Sequence, residues 1–237
     1  FLRFPTQMIV QPLISAVLFL VIFGQFIGAG FEMGPGITFI AFIVPGITVL
    51  NMITSAYSNS AYSLFMMRFL NFIADILVAP ISYAEMVLAF TIGSTLRGMF
   101  IATIILIVSS LFTPISIHDP LLFAYFLAGI SFLFGSLGII IGLWAKEFEQ
   151  VELLTMFVLT PLTFLGGVFH SIQAMPPVLQ LVSQFNPFFH IINGFRYSVI
   201  GISEGNLLVA IIMVLFGCIT LFALNLYLFK KGWHLRS

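Results

Sequence analysis

The residues of this sequence that could perform chemistry are few and stand apart from one another. Four histidines occur in 237 residues, and none has the i, i+4 partner or nearby cysteine that zinc sites use. None of the three lysines follows a glycine-rich turn, so the sequence shows no P-loop for ATP. We therefore expect a protein that is not an enzyme, with no metal and no cofactor in this chain.

Polar side chains do follow one face of the first two predicted helices, at a spacing of three or four residues. Such stripes inside apolar helices either hold helices together, which is the simpler explanation, or line a path for a solute. The stripes consist of Gln7, Gln11 and Ser15 in the first helix and of Asn51, Ser55, Ser58 and Tyr62 in the second.

Arg97 is the one charge that falls well inside a predicted span. An ionisable residue at that depth is a functional candidate by default, because its burial in hydrocarbon is costly. No acidic partner is evident within the membrane, so a proton relay is not expected. A structural and a functional role stay equally open.

Two further segments carry polar residues in unusual settings. The stretch Met66–Pro80 places Arg68, Asn71 and Asp75 at i, i+3 and i+7 among apolar residues, which predicts an amphipathic helix lying along the membrane surface. A simple interfacial connector is the alternative. The acidic turn Lys146–Glu152, with Glu147 and Glu149, is either a solvated turn or a docking surface for a partner.

The segment 170–206 is too apolar for a solvated loop and too polar for a helix exposed to lipid, where unsatisfied polar groups cost several kcal/mol. It therefore predicts short, half-buried helices that dip into one membrane face. Between Gln180 and Arg196, polar residues and a proline alternate with Leu, Val, Ile and Phe: Gln180, Ser183, Gln184, Asn186, Pro187, His190, Asn193 and Arg196.

Composition gives the class to which these segments belong. The chain is 61% hydrophobic and 7% charged, with a mean hydropathy of +1.19, whereas a soluble domain is about a quarter charged. This is an integral membrane protein. Its formal net charge is zero, so nucleic acid is not an expected partner.

Charge-free intervals place six helices, each near the roughly 20 residues needed to cross a bilayer. A seventh span over Val178–Ile200 is the alternative, but it would move the basic C-terminal tail to the outer face, against the positive-inside rule. We predict one all-helical domain over residues 1–237 with both termini cytoplasmic. The spans lie near 7–27, 37–61, 86–112, 121–144, 153–169 and 207–229.

The fifth helix and the segment after it carry a recognisable pattern of residues. The pattern consists of Leu159, Leu162, Leu165-Gly166, Val168, Met175-Pro176, Pro187-Phe188, His190 and Arg196. It resembles the signature of the type-2 ATP-binding-cassette (ABC) exporter permeases. The likeness extends over essentially the whole chain and is closest to the short bacterial permeases of drug and polysaccharide or lipo-oligosaccharide exporters.

The resemblance implies a subunit of six membrane helices that forms a homodimer in the bacterial inner membrane, in contact with lipid. Two separate P-loop ATPase subunits would bind ATP and Mg²⁺. Such permeases usually begin with an amphipathic helix, which this sequence largely lacks. The expected cargo is an amphiphilic, lipid-like or glycan-like substrate, or a drug, that leaves the cytoplasm or the inner leaflet. An ion-driven secondary transporter is the alternative, and a membrane-embedded enzyme is a third possibility.

The resemblance also implies site residues. The stretch Met66–Pro80 corresponds to the cytoplasmic coupling helix, and helices one, two and five line the path. The segment His170–Ile200 corresponds to outer re-entrant helices that cap it. The implied residues are Arg68, Asn71, Asp75, Lys146, Glu147 and Glu149 for coupling; Gln11, Asn51, Ser55, Ser58, Tyr62 and Thr163 for the path; and Pro187, His190 and Arg196 for the cap.

Overall fold

The computed structural model describes residues 5–27, 32–34, 37–73 and 80–233, and these are almost entirely helical. Helix α1, Pro5–Phe19, continues into a π-helical stretch, Leu20–Ile27. A short antiparallel hairpin, β1 (Glu32–Gly34) and β2 (Ile37–Thr38), follows it. The later helices are α2 (Phe39–Phe69), α3 (Tyr83–Ser109), α4 (Pro120–Trp144), α5 (Phe148–Leu165), α6 (Pro177–Phe185), α7 (Pro187–Ile200) and α8 (Leu207–Lys231).

Five of these helices, α2, α3, α4, α5 and α8, are long and apolar enough to cross a membrane. The predicted class, an all-helical integral membrane protein, is therefore confirmed, apart from the small hairpin. The apolar stretch Val10–Gly24, which runs from α1 into the π-helical stretch, is shorter. A sixth span accordingly stays a prediction.

Helix α2 lies at the centre of the structure, and α4 packs closely against it. A face of α4 that carries small residues meets α2 directly: a Cβ on Gly142 would lie 2.7 Å from the carbonyl oxygen of Ala61. Ser60 of α2 donates a hydrogen bond of 2.6 Å to the carbonyl of Gly135. Glycine permits this approach of two backbones, which in membranes supplies much of the packing energy between helices.

Side-chain caps explain where several helices begin. Ser82 and Glu85 form a reciprocal capping box at the start of α3. Asp119 accepts the backbone N–H groups of Leu121 and Leu122 at the start of α4. Asn206 does the same for α8. Each cap satisfies donors that have no partner within the first turn.

The segment 177–200 is two helices rather than a seventh span. Helix α6 has 9 residues and α7 has 14, and at ~1.5 Å per residue neither is long enough to cross a bilayer. The break falls at Asn186, whose side chain caps α7 by accepting the N–H of Phe188. The prediction of short helices here is confirmed, whereas their depth in the membrane stays a prediction.

The prediction of one amphipathic helix over Met66–Pro80 is wrong for its first half. Helix α2 runs on to Phe69, eight residues past the predicted end, because its last turns are packed against other helices. Asn71 then adopts a left-handed backbone, with φ of 60°, which asparagine tolerates better than most residues. Arg68 and Asn71 therefore do not share a helix face, and Asp75 lies outside the described residues.

Candidate functional site

A cavity of about 840 Å³ lies between α1, α2, α3 and α5. Much of its wall is polar, which is unusual for helices of this composition. Five of the six predicted path residues contribute to it, and so do two charged residues, Arg97 of α3 and Glu152 of α5. The five are Gln11, Asn51, Ser55, Ser58 and Tyr62.

Thr163, the sixth predicted path residue, does not reach the cavity. Its side chain is fully buried, and its hydroxyl donates to the carbonyl of Leu159 one turn earlier. The threonines of α5 that line the cavity are Thr155 and Thr160. Residues Thr155–Leu159 are π-helical, and such an inserted residue rotates the helix face that follows.

Two tyrosines of α2 fasten one end of the cavity to the start of α5. The hydroxyl of Tyr62 donates a hydrogen bond of 2.5 Å to Oε2 of Glu152. One and a half turns earlier, the buried hydroxyl of Tyr57 donates to the carbonyl oxygen of Val151 at 2.8 Å. Hydrogen bonds to an ionised group are about twice as strong as neutral ones. The position of α5 is therefore coupled to α2 at the cavity wall.

Arg97 projects from α3 into the same wall. One guanidinium N–H donates to the amide oxygen of Asn59 at 3.1 Å. Its Nε is buried and has no hydrogen-bond partner in the described part of the chain. The sequence singled out Arg97 by its depth, but gave no indication that it would share a cavity with the polar stripe of α2.

The end of α2 and the turn before α5 form a contiguous unit, which we call the α2–α5 cluster. Arg68 donates to the carbonyls of Gly142 and Ala145 at 2.9 and 3.1 Å, at the end of α4. The Phe148 ring packs against Phe65 at 4.7 Å and against Phe69 at 5.8 Å between ring centroids. The cluster comprises Phe65, Arg68, Phe69 and the turn Ala145–Phe148.

The structure thus brings Arg68 to the predicted second coupling segment. Lys146, Glu147 and Glu149 are all exposed on this turn, and the backbone of Lys146 is held by the Gln150 side chain. Asn71 is exposed in the turn after α2. These residues can contact a partner, whereas Arg68 is occupied in joining α2 to α4.

At the opposite end of α5, Arg196 ties the segment 167–204 together. It is 1% exposed, forms an ion pair of 3.6 Å with Glu204, and donates to the carbonyl of Gly167. Its guanidinium carbon lies 3.9 Å from the centre of the Phe42 ring. Arg196 therefore holds this segment from inside the protein, through Glu204, whose partnership the sequence did not reveal.

The other predicted cap residues lie at the junction of α6 and α7. Pro187 begins α7, where its missing N–H costs nothing. His190 Nε2 lies 2.9 Å from the carbonyl oxygen of Gln184 on α6. The Asn186 amide donates to the carbonyl of Leu162 at 2.7 Å, which joins this junction to α5.

Burial within this end of the molecule shifts two ionisation equilibria. Burial lowers the pKa of His170, and the nearby positive charge of Arg196 acts in the same direction. Burial lowers the pKa of Arg196 to about 10, although Glu204 acts against that shift. At neutral pH Arg196 therefore stays cationic, and the ion pair with Glu204 persists.

Comparison with known proteins decides the family of this molecule. Residues 1–200 match the family model described as ABC-2 type transporter. The chain belongs to the ABC-2 type transporter permease family. It is 36% identical to the inner membrane transport permease YadH of Escherichia coli K12, over 100% of this chain and 93% of that protein. It is 29% identical to the putative transport permease ycf38 of Porphyra purpurea, over 90% of this chain and 73% of that protein.

Family membership gives the cavity its context. An ABC-2 permease is the membrane subunit of a transporter, so a polar cavity among its helices is a candidate for the site through which a solute passes. Within the described residues no group of three histidine, cysteine or acidic side chains could hold a metal ion. Three features of this permease could therefore act in transport: the polar wall of the cavity, the two tyrosine contacts and Arg97.

Proposed function

We propose that this ABC-2 permease is the membrane subunit of an ATP-driven exporter, and that the cavity between α1, α2, α3 and α5 is its half of the path. The observation that carries the proposal is a cavity of about 840 Å³ with a partly polar wall, which lies between apolar helices. Its mixed lining, which includes Asn51 and Ser55 as well as Phe19 and Phe164, suits a substrate with both polar and apolar parts.

The α2–α5 cluster supplies the proposed route for coupling. Separate P-loop ATPase subunits dock on the exposed turn Lys146–Glu149, with Asn71 beside it and with the segment that contains Asp75. Movement of this turn is passed directly to Glu152 and Tyr62 in the cavity wall, because α5 begins at Phe148. A docked element that shifts as a rigid body needs a firm interface rather than chemistry.

The segment that Arg196 holds closes the other end of the path in this proposal. Helices α6 and α7 are short, amphipathic and internally tied, as expected of elements that dip into one membrane face without crossing it. Two copies of the chain form the complete path, and the membrane is the bacterial inner membrane, as the name of the Escherichia coli relative suggests for that protein.

Six spans with cytoplasmic termini agree with the distribution of charge. In this arrangement Arg68 and Lys146 lie on the same side as the C-terminal Lys230 and Lys231, in accordance with the positive-inside rule. The acidic turn and the end of α2 then face the compartment that contains ATP.

Transport by the chain reconstituted with its co-purified partner tests the proposal. We expect a P-loop ATPase to co-purify with the tagged chain and uptake into inverted vesicles to require ATP and to be blocked by vanadate. Uptake that persists without ATP and stops when the ion gradient is collapsed would replace this proposal with an ion-driven transporter.

A further inference from the structure

Two arginines of this protein differ in their counter-charges. Arg196 is fully buried and has a carboxylate partner, Glu204, at 3.6 Å. Arg97 is half-buried; it forms no ion pair within the described part of the chain, and one of its N–H groups donates to the neutral amide of Asn59. The Nε atoms of both arginines are buried without a hydrogen-bond partner. Arg97 differs from Arg196 because no carboxylate of the described residues contacts it at the wall of the cavity.

No ion pair joins Arg97 to the carboxylate that shares this cavity. Glu152 instead accepts the Tyr62 hydroxyl at 2.5 Å, and it belongs to the end of the cavity nearest the α2–α5 cluster. A charge that is partly removed from water without a contacting partner is costly, since its desolvation is not fully repaid by attraction. The arrangement favours a mobile anion that supplies the missing charge.

The surroundings of Arg97 define the kind of anion that fits. Hydroxyl and amide groups of Ser55, Ser58 and Asn59 can donate to further oxygen atoms, and Phe19, Leu50 and Phe164 offer apolar surface in the same cavity. A guanidinium binds carboxylate and phosphate oxygens in a planar, two-point geometry. A small inorganic ion would leave the apolar wall unused.

We propose that Arg97 binds the anionic head of an amphiphilic substrate, with its hydrocarbon part against the apolar wall. The inference rests on the proposed function, since it names the substrate class of the same cavity. It accounts for a cation that is retained deep in a span without a protein carboxylate beside it.

Binding is measured on the purified full-length chain in phosphatidylcholine nanodiscs, without an ATPase and without ATP. Failure of binding is therefore distinguishable from failure of ATP-driven transport. Radiolabelled dodecyl phosphate is the probe, with unlabelled dodecyl phosphate, dodecanol and inorganic phosphate as competitors. We expect dodecyl phosphate to compete at least tenfold better than either of the other two, as expected when a charge-assisted contact and an apolar contact add.

Three variants locate the site. Asn59→Asp places a carboxylate 3.1 Å from the guanidinium at nearly constant volume, and we expect it to weaken binding about tenfold or more, as Arg97→Gln does. Lys230→Gln removes an exposed cation from the end of α8 and should leave binding unchanged. Equal competition by dodecanol, or unaltered binding in Asn59→Asp, would overturn the proposal. Equal competition by inorganic phosphate would overturn the amphiphilic part of it.

Discussion

The hydroxyl of Tyr62 reaches Oε2 of Glu152 at 2.5 Å and joins α2 to α5 across 90 residues of sequence. This contact lies where the polar cavity meets the α2–α5 cluster. It connects the surface that can meet a partner with the space that can hold a substrate.

Replacing Tyr62 with Phe removes one hydrogen bond to a carboxylate and leaves the ring in place. We expect a loss of only about 0.5–1 kcal/mol from the contact, because Glu152 is exposed to solvent, and a several-fold fall in substrate transported per ATP hydrolysed, because movement of α5 is no longer passed to α2. Both rates are measured on the reconstituted complex. Tyr227→Phe, on the exposed face of α8, is the matched control. A transport-to-ATP ratio equal to that of the control would refute the coupling route.

Arg68 is expected to stabilise the chain more than to contact a partner. Arg68→Gln leaves the carbonyls of Gly142 and Ala145 without their donor and removes a cation from the negative end of α4, at a cost of about 1–3 kcal/mol. Thermal unfolding of the purified chain measures the loss. Lys230→Gln removes only an exposed cation from the last turn of α8, so it should lower the unfolding temperature much less. If the two variants unfold alike, Arg68 does not have this structural role.

The Arg196–Glu204 pair is expected to behave as one unit. Glu204→Gln alone leaves a buried cation unpaired and should cost about 3–5 kcal/mol. In the double variant Arg196→Met, Glu204→Gln no charge remains, so its loss should be smaller than the sum of the two single losses. The free energies of unfolding of the parent chain, the two single variants and the double variant, measured in mixed micelles, give a double-mutant cycle. Glu149→Gln, at an exposed position, is the reference. Strict additivity would show that the two residues act independently.

Close packing of α2 and α4 predicts that glycines on different faces tolerate alanine differently. A Cβ at Gly142 would lie 2.7 Å from the Ala61 carbonyl oxygen, whereas one at Gly93 meets nothing within 4 Å. Gly142→Ala should therefore destabilise the chain by about 1–3 kcal/mol. Gly93→Ala should stabilise it by up to about 1 kcal/mol. A comparison of their unfolding temperatures is the measurement, and the reverse order would exclude close backbone packing.

Much of the helical plan could be predicted because charges are excluded from apolar spans. The polar stripes of the first two helices, which supply five of the path residues, also followed from helical periodicity, since residues three or four apart share a face. Thr163, which the resemblance implied, does not reach the cavity, and the π-helical turn Thr155–Leu159 that precedes it cannot be recognised from residue types alone.

Contacts between distant segments are what the sequence could not provide. Arg68 resembled a surface residue because its partners are backbone carbonyls 74 and 77 residues away. Glu204 lay outside every motif, although it determines the state of Arg196. The length of α2 was underestimated because its last two turns are held by Phe148, which belongs to another helix.

Our central proposal is that a P-loop ATPase docks on the turn Lys146–Glu149 and drives transport through the cavity. Site-specific photocrosslinking in native membranes tests it most directly, with a photoreactive residue at Glu149 and a control at Gln173, beyond the far end of α5; both side chains are exposed. The account predicts a crosslinked P-loop ATPase from position 149 and none from 173. Absence of an ATPase from the products at 149, or equal crosslinking at both positions, would contradict it.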